Sequence, residues 1–191
     1  MDLKNQKGMI LAAFIISGLL ITGYAMFRSS APDTPIYGSG GYGSGESVPI
    51  PANILQSQER ERRLQELLAQ DPGNPLLIAE LGDIFFERND FNKAVLEYER
   101  VLQLAPEDVD TYNDLGLAYH FTGRPEDALS TFQKGIEVDP SFQRIWLSLG
   151  FVQAFNRNLT EAHEALIKAI EIDPASDMGL ESQRILDQIS Q

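Results

Sequence analysis

The stretch Asn113–Phe132, "NDLGLAYHFTGRPEDALSTF", decides the fold. It reads as two helices joined by a Gly-Arg-Pro turn, with Gly116 in the middle of the first helix. Glycine inside a helix costs about 1 kcal/mol relative to alanine, because more backbone entropy is lost on folding. A close contact must require it. The same pattern stands 34 residues upstream, in "AELGDIFFERNDFNKAVLEY" with Gly82, and 34 downstream, in "LSLGFVQAFNRNLTEAHEAL" with Gly150. Pro72, Pro106, Pro140 and Pro174 keep the same period, and each glycine is followed at twelve positions by an alanine (Ala94, Ala128, Ala162) and four later by a large residue (Tyr98, Phe132, Leu166). Small residues matched to large ones at a fixed offset are the holes and knobs of paired helices.

These residues resemble the tetratricopeptide repeat family, whose 34-residue helix-turn-helix unit carries the pattern W-x2-L-G-x2-Y, then A-x3-F, then P. The middle unit supplies Tyr112, Leu115, Gly116, Tyr119, Ala128, Phe132 and Pro140, and the first Ile78, Leu81, Gly82, Phe85, Ala94, Tyr98 and Pro106. The third supplies Trp146, Leu149, Gly150, Ala162 and Pro174, and departs at Gln153 and Leu166. The resemblance implies an all-α fold, a right-handed α-α superhelix of three full repeats (75–108, 109–142, 143–176). A half repeat (55–74), with its helix from Ser57 to Gln70, precedes them, and a capping helix (177–191) shields the last unit, as solenoid ends require.

The resemblance also implies a concave face built from the first helix of each unit, at its second, fifth, ninth, twelfth and thirteenth positions. Carried onto this chain, those positions give a partner-binding groove of Phe86, Asn113, Leu117, His120, Phe121, Arg144, Leu147, Phe151 and Phe155, flanked by Ala79, Asp83, Glu87, Asp110 and Ala154. Chaperone-binding relatives grip a peptide carboxylate with lysines and asparagines beginning in the first unit. Ala79 and Asp83 stand where that clamp would start, so the chain departs from it. Four phenylalanines on one face are an apolar patch of the kind that marks an interaction site, or else they pack between neighbouring units. A hydrophobic or amphipathic helical segment laid in through spaced anchors suits such a groove.

Charge and composition narrow the partner classes. From Leu55 onward 25 acidic side chains face 12 basic ones, which accounts for the net −13, and no basic footprint for nucleic acid exists. Cysteine is absent, which excludes disulfides, thiolate metal sites and cysteine lipidation. His120 and His163 lie 43 residues apart without a neighbouring ligand pattern, so no metal or other cofactor is expected. "PEDVDTYND" lacks the alternating oxygen ligands and central glycine of a calcium loop, and its acids suit a helix first turn. "NLT" at Asn158–Thr160 matches an N-glycosylation acceptor, but at an inter-helix turn either residue serves as a helix cap. With no phosphate loop, nucleophile elbow or paired-carboxylate context, neither catalysis nor a small-molecule substrate is expected.

The amino terminus follows other rules. After a short segment (1–8) bearing Lys4 and Lys7, residues 9–27, "MILAAFIISGLLITGYAMF", carry no charge and as a helix span about 28 Å, close to the roughly 30 Å hydrocarbon core. The run is longer than a signal-peptide core, and Pro32 follows the candidate cleavage site at Ala31, so an uncleaved single-pass anchor is expected. "KGM" at Lys7–Met9 faintly resembles a prepilin site, yet Ala13 stands where its glutamate belongs. Lys4 and Lys7 against Arg28 place the amino terminus in the cytoplasm and the repeats outside it, in a periplasm or equivalent lumen. Ala13 with Ser17 and Gly18 with Thr22 are small-xxx-small pairs suited to self-association, though small residues are common in membrane helices generally. Residues 28–54, rich in Gly, Ser and Pro, read as a flexible tether with a reach of roughly 25–30 Å.

The resulting expectation is a membrane-tethered interaction module acting as a scaffold or assembly factor, the alternative being a permanent structural subunit of a membrane or surface assembly. Single-span bacterial repeat proteins of similar layout include assembly factors for cytochromes and photosynthetic complexes. Orientation is directly testable. A cysteine placed at Ser44 should react with a membrane-impermeant maleimide in intact cells, and reaction only after lysis would reverse the topology.

Overall fold

The computed structural model of the chain describes residues 52–190, with side chains from Gln56 onward. The terminal segment 1–8, the apolar run 9–27 and the tether up to residue 51 lie outside the described residues. Among the described residues are eight α-helices and no strand: α1 (Ala52–Gln70), α2 (Pro75–Glu87), α3 (Phe91–Leu104), α4 (Val109–Phe121), α5 (Pro125–Val138), α6 (Gln143–Phe155), α7 (Leu159–Ile172) and α8 (Asp177–Ile189). First helices start at 75, 109 and 143 and second helices at 91, 125 and 159, so the 34-residue period of the sequence is the period of the fold. No helix among the described residues is long and apolar enough to cross a membrane. Helix α1 begins at Ala52 rather than at Ser57, inside the stretch assigned to the tether. The run Ala52–Gln56 holds neither glycine nor proline, and Pro51 just ahead is compatible with a helix start.

Three-residue turns join the two helices of each unit. Their central residues, Asn89 (φ 60°), Gly123 (φ 75°) and Arg157 (φ 67°), are all left-handed. This reverses the chain so that the next amide closes a wide loop onto the first helix, from Asp90 to the Phe85 carbonyl (2.8 Å), Arg124 to Tyr119 (2.9 Å) and Asn158 to Gln153 (2.9 Å). Between units, the Asn74 side chain accepts from the amides of Leu76 and Leu77, Asp108 from Thr111 and Ser176 from Gly179, so three helix starts are capped. Phe142 cannot cap α6; there the Trp146 indole donates to the Pro140 carbonyl at 2.9 Å and secures the same turn. Asn158 occupies the cap position of α7 but makes no side-chain cap; its amide donates to Gln153 Oε1 at 2.8 Å.

The contact that explains the glycines is intra-unit. A Cβ on Gly82 would lie 2.7 Å from Tyr98 Cε1, one on Gly116 2.5 Å from Phe132 Cε1, and one on Gly150 2.7 Å from Leu166 Cγ. Tyr98, Phe132 and Leu166 are themselves fully buried, as are Ala94, Ala128 and Ala162, so none of these knobs can swing aside. The third unit keeps the geometry with leucine in place of an aromatic ring. Gly135 on α5 plays a similar part, since a Cβ there would overlap Tyr112 of α4 in its own unit and Ile145 of α6 in the next.

The two ends of the array are finished differently. Helix α8 buries Ile185 and Leu186 against the last unit, and Gly179 lets it sit against the Asp173 carbonyl and Pro174. Its outer side carries the Glu181–Arg184 pair, Gln183 and Asp187. Among the described residues helix α1 has no partner helix of its own; it buries Leu64 and Leu68, and charged pairs hold it as well. Arg60 reaches Glu80 (3.5 Å) and Glu87 (3.4 Å), and Arg88 reaches back to Glu61 and Ser57.

Replacing Gly116 by leucine should therefore force α4 and α5 apart. Overpacking of this kind costs about 1–3 kcal/mol, and neighbouring units share the damage. A clear fall in thermal midpoint is expected; a midpoint equal to the parent's would mean that Gly116 does not sit in a helix contact.

Candidate functional site

The carboxy-terminal ends of α2, α4 and α6 carry a relay of rings. Phe86 meets Phe91 edge-on (5.1 Å between centroids) and Phe121 edge-on (5.8 Å), while Phe91 stacks on Phe121 at 4.8 Å. His120 continues the relay towards the next unit, 5.9 Å from Phe151 and 4.8 Å from Phe155, both edge-on. Such pairs contribute about 0.5–1.5 kcal/mol beyond the area they bury. Burial holds the His120 imidazole below its ordinary pKa, so it is neutral at pH 7.

This packing revises the reading of an open aromatic groove. Phe86, Leu117, His120, Leu147 and Phe151 are buried, because successive first helices lie close enough for these side chains to fill the space between them. Phe121 is half-buried under Phe86 and Phe91. Phe155, at the last position of the relay, remains 50% exposed. Phe91, the ring that ties Phe86 to Phe121, belongs to a second helix and was not among the sequence candidates.

The same helices also hold a polar cluster. Asp83, Asn113 and Asp114 are all buried. The Tyr98 hydroxyl donates to Asp83 Oδ1 at 2.9 Å, and Asn113 Nδ2 donates to Asp114 Oδ1 at 3.0 Å. Arg144, whose side chain is mostly buried, pairs with Asp110 at the exposed rim. Burial pushes the Asp114 carboxyl up to about 6; Arg144 draws it back in part, and the neighbouring Asp83 adds to the rise. Asp114 too was absent from the sequence candidates. Glu87, at the far end of the face, is engaged by Arg60 of α1. Elsewhere, a cleft between α3, α4 and α5 is lined by Glu99, Tyr112, Tyr119 and Lys134, but its Tyr119 hydroxyl already donates to Glu99, and Arg124 covers the ring at 4.2 Å. No cluster of His, Asp and Glu able to hold a metal ion occurs among the described residues.

The arrangement is thus three helix pairs with one continuous first-helix face, and it can be compared with known proteins. A family model described as TPR repeat matches residues 82–123, and one described as Tetratricopeptide repeat matches 109–142 and 143–176. The helical units are tetratricopeptide repeats. Hsp70-Hsp90 organizing protein 3 of Arabidopsis thaliana is 26% identical over 144 residues, covering 73% of this chain and 26% of that protein. The peroxisomal targeting signal receptor of Kluyveromyces lactis is 25% identical over 138 residues, covering 70% and 24%. The chain spans about a quarter of the length of these relatives. Among solved structures, MamA from Desulfovibrio magneticus RS-1 superposes with a TM-score of 0.59 at 25% identity, covering 66% of this chain and 71% of that one. The first TPR of Spaghetti (RPAP3), bound to an HSP90 peptide, gives 0.56 at 20% identity, covering 61% and 90%, which shows the shared fold alone.

The tetratricopeptide array is a protein-interaction module. Its first-helix face is divided into two zones. One is a packed aromatic relay ending in an exposed ring, and the other a buried cluster in which Asp83 and Asp114 oppose one mostly buried cation, Arg144.

The raised Asp114 has a definite signature. Between its ordinary pKa of 3.8 and about 6 the folded protein holds a proton that the unfolded chain does not, so Asp114 adds stability as pH falls through 6 and removes it as pH rises. That interval corresponds to on the order of 3 kcal/mol. His120 works in the opposite sense, its depressed value making acid destabilising, so the comparison must be between proteins that share it. Asp114→Asn should raise the thermal midpoint at pH 7.5 relative to the parent, keep about half of that advantage at pH 5 and lose it as pH falls to about 4. Parallel pH profiles for the two proteins would show that Asp114 ionises normally.

Proposed function

We propose that the chain is a membrane-tethered scaffold, held by the apolar run 9–27, whose repeats hold or assemble a partner protein of a membrane or extracytoplasmic complex. The partner lies along the first-helix face as a peptide or helix. The observation that carries this reading is Phe155. It is half exposed at the end of a relay whose other rings are packed together, so it is a rigidly supported apolar side chain at the surface. A ring that is already ordered loses little conformational freedom on binding, which favours its use as an anchor. The uncharged run and the Gly/Ser/Pro-rich segment after it support the tether.

The structure separates the two natural variants. Phe121→Ala removes a ring stacked on Phe91 and edge-on to Phe86, so it should destabilise the domain as well as alter the face. Phe155→Ala should leave the fold intact and weaken capture of the co-purifying partner by about thirtyfold, the loss of roughly 2 kcal/mol typical of an interface anchor. The measurement is a titration of the purified partner in mild detergent, with circular dichroism as the folding control. Unchanged affinity in a folded Phe155→Ala protein would move the interface off this face.

A further inference from the structure

His120 is the ionisable member of the aromatic relay, set among Phe121 of its own helix (5.2 Å between centroids) and Phe151 and Phe155 of α6. Only 9% of it is exposed, and its ring makes no hydrogen bond among the described residues. Charged groups on the neighbouring elements lie at a distance or are engaged. On α4, Asp114 and Asp110 stand six and ten residues before it, about 9 and 15 Å along the helix axis. On α6 the charged side chain is Arg144, seven residues before Phe151 and about 10 Å from it along the axis. In the turns after these helices, Arg124 pairs with Asp127 and covers Tyr119, and Arg157 occupies the turn centre; Glu87 of α2 is held by Arg60. None of them sets the state of the imidazole, whose pKa is lowered by burial.

We propose that His120 makes the interaction face a pH switch: a partner that covers Phe155 binds while the imidazole is neutral and is released when the ring takes a proton. The proposal rests on the reading that the first-helix face, anchored at Phe155, is the interaction surface. The two rings are 4.8 Å apart, so an apolar side chain seated on Phe155 also covers what is left open of the imidazole. An imidazolium in the free protein keeps contact with water there, and the partner would strip it away, which penalises the charged form. The attraction of a cation to a ring face is present in the free and the bound protein alike, so it cancels. The bound form therefore holds the proton less tightly than the free form. By linkage, affinity is full above the free protein's pKa and falls as pH drops through it.

The probe is an end-blocked dodecapeptide, selected at pH 7.5 on the full chain in detergent micelles from a phage-displayed random library built without His, Asp and Glu. Such a peptide does not itself titrate. Its dependence on the face is established first, by loss of affinity in Phe155→Ala. Affinity should then fall about fivefold between pH 7.5 and 5.0 in the parent, and by a similar factor in Asp114→Asn, which removes the other group that titrates in this window. In His120→Phe, which keeps a ring in the relay, and in His120→Gln, which keeps a polar side chain, affinities at the two pH values should agree within about twofold. Circular dichroism at both pH values checks each fold. In the parent, the Cε1 proton resonance of His120 should titrate at lower pH with peptide bound than without, against exposed His163 as the internal reference. That shift decides the matter if neither His120 variant folds, and an unchanged titration would overturn the switch. A parent indifferent to pH, a dependence that survives both His120 substitutions, or one that disappears in Asp114→Asn would overturn it too, while loss of affinity in Phe155→Ala would still leave the face standing. If no selected peptide depends on Phe155, the face and the switch fall together.

Discussion

Two helices can lie against each other only as closely as the smallest residue at their crossing allows. Here Gly82, Gly116 and Gly150 each face the side chain of a partner helix at a separation that no Cβ could share. The crossing fixes where each second helix begins, and through it the three-residue turn. Because the array repeats every 34 residues, one constraint applied three times sets the positions of six helices. The propensity lost at each glycine is local, about 1 kcal/mol. What it permits is the complete burial of Tyr98, Phe132 and Leu166.

Close pairing within units has its effect between them. Once second helices are drawn in, adjacent first helices come near enough for Phe86, His120 and Phe151 to occupy the space between units rather than a solvent groove. The face presented to a partner is then narrower than a list of its helical positions suggests. Phe155 follows because the relay reaches the end of the third unit, where no fourth set of rings covers it. The polar cluster is enclosed by the same approach. Asp83 and Asp114 sit on successive first helices, near enough for Asp83 to add to the cost of ionising Asp114, with Arg144 of the next unit offsetting only part of it.

The fold was largely legible in the sequence, since the glycine, alanine and proline ladders record distances that recur whatever the surface does. The site was legible in position but not in exposure. Helical numbering placed Phe86 and Phe155 on one face, yet it carries no information about the gap between units, which decides that Phe86 is interior and Phe155 is not. Asp114 had a signal that could have been used: a carboxylate one residue from Leu115 and two from Gly116 occupies a register that packing should fill. Phe91 had none, because its neighbours in the relay come from two other helices. Asn158 shows the same limit on a small scale: it stands at the cap position without capping, and its amide bonds a glutamine that only the folded turn brings within reach.

Among the described residues the main helix contacts join a helix to its nearest or next-nearest neighbour along the chain, and the Arg144–Asp110 pair bridges residues one period apart. That locality governs how the domain comes into being. Bringing such partners together closes only short loops, whose entropy cost grows slowly with length, and domains dominated by near-sequence contacts cross their folding barriers quickly. No strand or helix must wait for a distant segment to be made. A growing chain therefore organises the units one after another, each new pair docking on a surface already present, and α8 closes the last of them.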